Sequence, residues 1–216
     1  MNKHIDKKWI VVWCVIYAII LASNFIDPKV TWTSGIKILG ILLCVVYVIL
    51  EKRNDKMLVL ALVLTLLADL ILFINNTSLV GVVVFCCVQF VHMIRMARMR
   101  LRAFVTYAIF LLVVFFFALQ AKIDPMYAIG TVYAITLIGN IILSIKWQKA
   151  TGEVAAKFAV IGFLLFISCD LCVAISYLSL TGILPFLFYM PANYFAWVFY
   201  YPSQVFISNS AETVIQ

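Results

Sequence analysis

The chain is a succession of apolar runs separated by short polar linkers. A membrane core of about 30 Å, climbed at 1.5 Å per residue, takes a helix of about 20 residues to cross. Eight runs fit that requirement: Trp9–Ile26, Gly35–Leu50, Met57–Ile74, Leu79–Arg95, Ala103–Ala121, Met126–Lys146, Val154–Leu180 and Phe186–Ser208. With 66% hydrophobic and 12% charged residues and a mean hydropathy of +1.14, the chain is too apolar for a soluble domain, in which about half the residues are apolar. The sequence therefore predicts an all-α, polytopic membrane bundle of eight transmembrane helices, forming one domain over residues 1–216. Pro191 and Pro202 interrupt the last run, which a bundle tolerates when neighbours satisfy the freed backbone groups.

A net charge of +7 raises the question of a nucleic-acid partner, and the distribution of the charge answers it. Lys3, Lys7 and Lys8 precede the first run, and Lys52, Arg53 and Lys56 lie between the second and third. Arg95, Arg98, Arg100 and Arg102 lie between the fourth and fifth, and Lys146, Lys149 and Lys157 surround the start of the seventh. The alternate linkers hold only Lys29 and Lys122, close to Asp27 and Asp124. This alternation is the positive-inside rule for eight spans with both termini in the cytoplasm. It assigns the basic loops to orientation and anionic headgroups rather than to nucleic acid. The first run has no small-residue cleavage site and reads as a retained helix. The six cysteines all fall within spans and read as small buried hydrophobes. Cys169 and Cys172 share one helical turn, too few ligands for zinc, so no metal is expected.

Against this background Asp69 in TLLADLIL and Asp170 in FISCDLCV stand out. An ionisable group within a span is costly unless it is paired or lines a polar cavity, and marks a functional site by default. Asp69 lies 12 residues beyond Met57 and Asp170 lies 13 beyond Lys157, so both sit roughly 18–20 Å from the inner boundary. Each is followed by leucine, four spans apart, which points to a duplicated four-helix unit. Further polar candidates are Lys37, Gln89, His92, Tyr133, Asn140, Ser168, Asn193, Tyr200, Tyr201 and Gln204. Each has a structural alternative. Lys37 near the outer boundary can snorkel to headgroups, and His92 beside Arg95 reads as interfacial. Asn140, Asn193 and Ser168 suit interhelical hydrogen bonds, and Tyr200 and Tyr201 suit an interfacial aromatic belt.

No motif of a soluble hydrolase, phosphate-binding loop or dinucleotide fold is present. The apolar segments resemble instead the YhhN family of membrane lysoplasmalogenases. TLLADLIL resembles its S-L-L-G-D-x-x-L at Asp69, and GFLLFISCDLCVA its G-x-x-x-F-x-x-S-D-x-x-L-A at Phe166 and Asp170. YYPSQ resembles Y-Y-x-x-Q at Tyr200, Tyr201 and Gln204. GVVVFCCVQFVH matches a family helix at Gly81 and Phe85, and IKILGILL places Lys37 at the lysine of K-P-L. The chain departs at Ala68 and Cys169, which replace glycine and serine before the two aspartates, and at Ile38, which replaces proline. Gln89 stands where the family usually has histidine, and His92 where it has tyrosine. Glutamine cannot exchange a proton as histidine does.

The resemblance implies hydrolysis of the vinyl ether of a lysophospholipid, releasing a fatty aldehyde and a glycerophospho-alcohol, in an integral protein of a bacterial cell membrane. No cofactor is implied, and the partners are the lysolipid and membrane lipids. Vinyl ethers hydrolyse through protonation at carbon and capture of an oxocarbenium ion by water. One carboxyl held protonated and one ionised suit that chemistry, a division of labour that glycosidases share. Asp69 and Asp170 are the expected catalytic pair, with Lys37, Gln89, Tyr133, Tyr200, Tyr201 and Gln204 contacting substrate. Two rival readings are a small transporter with an aspartate relay and a non-catalytic lysolipid-binding protein.

Overall fold

The computed structural model describes residues 7–26, 31–51, 55–75, 78–97 and 101–211. Among them eight α-helices follow in order: α1 Lys7–Ile26, α2 Thr31–Glu51, α3 Lys56–Ile74, α4 Leu79–Ala97, α5 Leu101–Gln120, α6 Pro125–Thr151, α7 Val154–Leu180 and α8 Tyr189–Asn209. No strand occurs among the described residues. Five helices (α1, α3, α4, α6 and α7) have the length and apolar composition to cross a membrane, and the protein is an integral membrane protein. Of the charges assigned to linkers, Lys3, Asp27, Lys29, Lys52, Arg53, Arg98 and Arg100 lie outside the described residues, as does the side chain of Arg102.

Local chemistry sets the helix ends. Asp55 caps α3 by accepting the backbone N–H of Leu58 at 3.0 Å, and Asp124 caps α6 through Met126 at 2.8 Å. Pro125 opens α6 where its missing N–H is harmless, and Gly152 closes it in the left-handed conformation. Several boundaries differ from the sequence reading; α2 begins at Thr31, four residues before the expected Gly35. The helix expected over Met126–Lys146 continues to Thr151, because nothing before Gly152 stops it. The run expected from Phe186 begins as a single 3-10 turn, Phe186–Phe188, and becomes α-helical at Tyr189. Pro191 consequently falls in the first turn of α8 and breaks nothing.

Pro202, by contrast, lies inside α8 and leaves the carbonyl of Val198 without its intrahelical donor. Tyr17 of α1 fills the gap, its hydroxyl donating to Val198 O at 2.9 Å. In hydrocarbon an unsatisfied carbonyl costs several kcal/mol, so this contact is what makes the proline tolerable.

The helices pack as a ring in the order α2, α3, α4, α6, α7, α8 and back to α2, with α1 outside against α2 and α5 outside against α6. Advancing every label by four reproduces the pattern: α1 on α2 becomes α5 on α6, α3 on α4 becomes α7 on α8, and α4 on α6 becomes α8 on α2. The packing is that of a duplicated four-helix unit. Its symmetry is broken where α1 also packs on α8.

Two devices lock the ring. Gly162 of α7 lets the backbone of α8 approach so closely that a Cβ there would lie 2.7 Å from Ile207 Cγ1 and 3.0 Å from Ile207 N. Gly162→Val is expected to destabilise the protein by about 1–3 kcal/mol, because the obstacle includes backbone; thermal unfolding in detergent measures it. At the basic end Arg95 of α4 donates to Asp55 at 2.8 Å and to Ser210 Oγ at 3.0 Å, and also to the Ser210 carbonyl. Its guanidinium lies 5.7 Å from the Trp147 ring centroid. One arginine thus ties α4 to the cap of α3, the end of α8 and α6.

The six cysteines are free, but Cys14 and Cys87 are exposed on the outer surface of the bundle. The expectation that all six are buried fails at these two, which are apolar enough to face lipid.

Candidate functional site

Every helix of the ring contributes polar side chains to its interior: Lys37 from α2, Asp69 from α3, Gln89 from α4, Tyr133 and Asn140 from α6, Asp170 from α7 and Tyr200 from α8. Asp69 and Asp170 lie on corresponding helices of the two halves of the duplicated packing, α3 and α7. Cys169, buried beside Asp170, is within electrostatic reach of both carboxyls. The two belong to one polar cluster, and both keep part of their surface accessible.

Each carboxyl is held by a tyrosine from another helix: Asp170 by one from adjacent α6, and Asp69 by one from α8, beyond α2 in the ring. Tyr200 donates to Asp69 Oδ2 at 2.6 Å, and Tyr133 donates to Asp170 Oδ2 at 2.7 Å. The tyrosines are steered by rings. Phe166 packs 5.8 Å from Tyr200 and 6.2 Å from Phe85, which meets Tyr133 edge-on at 6.3 Å. The aromatic chain Tyr200, Phe166, Phe85, Tyr133 forms one wall joining the two hydrogen-bonded pairs.

Behind Tyr133 lies a second layer. Gln89 donates to the Tyr133 oxygen at 3.4 Å, and Asn140 donates to Gln89 Oε1 at 2.8 Å and to the Gln89 backbone carbonyl at 2.9 Å. Both amides are fully buried, where an unpaired polar group would be expensive. Gln89 therefore sits in the network as an organiser of Tyr133, one bond removed from the carboxyl.

Lys37 does not reach outward as the snorkelling alternative proposed. It is 6% exposed, and its Nζ lies 3.9 Å from the centroid of Trp197, which in turn packs edge-on to Tyr200 at 5.4 Å. The cation–π contact replaces part of the lost hydration. It also places a positive charge one ring away from the Asp69 pair.

Other candidates lie apart. Tyr201 faces α1 and α2, stacked on Tyr17 at 6.2 Å and against Gly40. Gln204 is buried and lies 3.4 Å from Ser203 Oγ, away from both carboxyls' hydrogen bonds. Ser168 turns back to the Leu164 carbonyl. His92 is 1% exposed and edge-on to Phe163 at 5.1 Å, so it belongs to the interior and not to the interface expected for it. Trp197 was missed as a contributor to the site, because an aromatic in an apolar span gives no signal until its neighbours are known, and Phe85 was marked only through the family resemblance, with no role. Among the described residues no three histidine, cysteine or acidic side chains gather as metal ligands.

Comparison with the curated proteins and with the solved structures finds no match. The model of the YhhN family matches residues 32–211, from α2 to just beyond α8, and so takes in the whole ring and all of its polar residues. The protein is a member of the YhhN family.

Proposed function

We propose that the protein is an intramembrane hydrolase that cleaves the vinyl ether of lysoplasmalogens. The observation that carries this reading is the pair of tyrosine-tethered carboxyls, joined by one aromatic wall. One carboxylic acid protonates the outer vinyl carbon, the alkene pair forming the new C–H bond and leaving an oxocarbenium ion. The other group, a carboxylate, takes a proton from water as the water oxygen adds to that cation, giving a hemiacetal. Collapse of the hemiacetal returns both protons: the second carboxyl protonates the departing glycerol oxygen, and the first accepts the hydroxyl proton as the aldehyde forms. Both groups end as they began, and the only co-reactant is water.

The surroundings suit an amphiphile. Lys37 offers a cation to the phosphate, the aromatic wall of Phe166 and Phe85 flanks the cation formed in the reaction, and the apolar helix faces accommodate the acyl-like chain. We place eight spans in a bacterial cell membrane with both termini cytoplasmic, on the strength of the basic residues gathered at one end of the helices. In this single domain Tyr201 and Gln204 act as structural support rather than as substrate contacts.

Purified protein incubated with a lysoplasmalogen is expected to release aldehyde, with none of the corresponding product from an acyl lysolipid of the same headgroup. Equal turnover of the acyl lipid would remove the vinyl ether from the reading. The duplicated packing also suits a transporter with an aspartate relay, since internal repeats are frequent there. Proton-driven uptake into proteoliposomes without aldehyde would select that alternative.

A further inference from the structure

The two carboxyls have similar tyrosine partners, but the hydrogen bonds behind those tyrosines differ, and the difference has a direction. A backbone carbonyl can only accept. Asn140 bonds to the Gln89 carbonyl at 2.9 Å, so the Asn140 atom facing Gln89 is its NH₂. That group also meets the Gln89 side chain at 2.8 Å, so the Gln89 atom there is its oxygen. The Gln89 NH₂ must then point to Tyr133. Tyr133 accepts at its oxygen and has one hydrogen left, which goes to Asp170 Oδ2 at 2.7 Å. Every amide and hydroxyl in this relay is fixed by the backbone group at its far end. Reversing it would set two donors or two acceptors against each other in a buried site.

The Asp69 side has no such anchor. Tyr200 lies 2.6 Å from Asp69 Oδ2, and among the described residues no group donates to the Tyr200 oxygen. Its hydroxyl is free to donate to a carboxylate or to accept from a carboxylic acid. The two halves of the duplicated fold thus present one carboxyl whose Oδ2 is held as an acceptor and one whose Oδ2 can itself carry the proton.

We infer that Asp170 is the carboxylate that activates water and Asp69 the acid that protonates the vinyl carbon, with Gln89 and Asn140 as positioning residues that enforce this division through Tyr133. The assignment rests on the hydrolase reading for its chemistry, but the hydrogen-bond polarity beneath it does not. Bonds from donors to an ionised acceptor are about twice as strong as neutral ones, so the relay favours charge on Asp170. The same logic gives Gln89 a purpose distinct from proton exchange: an amide cannot titrate, and therefore holds its direction at any pH.

The test is infrared spectroscopy of the purified protein in detergent, following the C=O stretch of a protonated carboxyl in the unsubstituted protein and in Asp69→Asn, Asp170→Asn, Gln89→Leu and Asn140→Leu. The band is expected in the unsubstituted protein, lost in Asp69→Asn and retained in Asp170→Asn; both asparagine variants keep the side-chain shape. Gln89→Leu and Asn140→Leu are expected to gain a second protonated-carboxyl band, because Tyr133 is then free to accept from Asp170. A structural role alone would change thermal stability without adding a band. Loss of the band in Asp170→Asn with retention in Asp69→Asn, or no band in the unsubstituted protein, would overturn the assignment. Aldehyde release, measured on the same samples, separates the two claims. The expected bands without turnover would defeat the hydrolase reading alone, and reversed bands with turnover would defeat the assignment alone.

Discussion

Asp69→Asn and Asp170→Asn are each expected to lower aldehyde release from lysoplasmalogen by about 10²–10⁴-fold, the usual contribution of a positioned acid or base. Both variants should fold, because an asparagine can occupy the same volume and still bond to Tyr200 or Tyr133 across the distances now at 2.6 and 2.7 Å. The double variant should be little worse than either single one, since groups that serve one reaction sequence as a unit fail together. Tyr200→Phe should lose much less: the ring keeps its contacts with Phe166 and Trp197, and only the hydroxyl is gone. Single-turnover assays on detergent-purified protein check the series. Full activity in both asparagine variants would refute the mechanism.

The largest expected effect on stability lies at the other end of the bundle. Asp55→Ala removes the partner of Arg95 where both side chains are buried, at 9% and 5% exposure. Leaving a charge uncompensated in such a place costs about 3–5 kcal/mol. Losing the cap of α3 adds about 1 kcal/mol. Replacing the pair together, as Asp55→Asn with Arg95→Met, should recover a large part of this loss, because the asparagine still caps the helix and no buried charge remains. Thermal unfolding in one detergent, compared across the single and double variants, tests the ordering. A double variant as unstable as Asp55→Ala would show that the Ser210 contacts, and not the ion pair, hold this end together.

The helices were legible in the sequence because hydrocarbon imposes a length and an apolar composition that can be read one run at a time. The same reading marked Asp69 and Asp170, since a lone carboxyl in a span is conspicuous on cost alone. Even the duplication left a trace in two aspartates spaced four helices apart. What could not be read was mutual placement. Lys37 near a helix end has the same sequence signature whether it reaches for headgroups or folds back over Trp197. Tyr200 and Tyr201 are adjacent and chemically identical, yet the turn of α8 sends one to Asp69 and the other toward Tyr17. Gln89 looked like a lost proton carrier until its amide was seen between Asn140 and Tyr133. His92, one turn on, sits beside Phe163 in the interior because the helix face it shares with Gln89 is the buried one.

The contact between Tyr17 and the Val198 carbonyl gives α1 a meaning that its position does not suggest. The helix precedes the stretch shared with the family and contributes nothing to the carboxyl pair. Yet the carbonyl that Pro202 leaves without a donor, at Val198, is satisfied by a hydroxyl from this helix. Without the first span that carbonyl would stand bare in hydrocarbon, two residues from Tyr200.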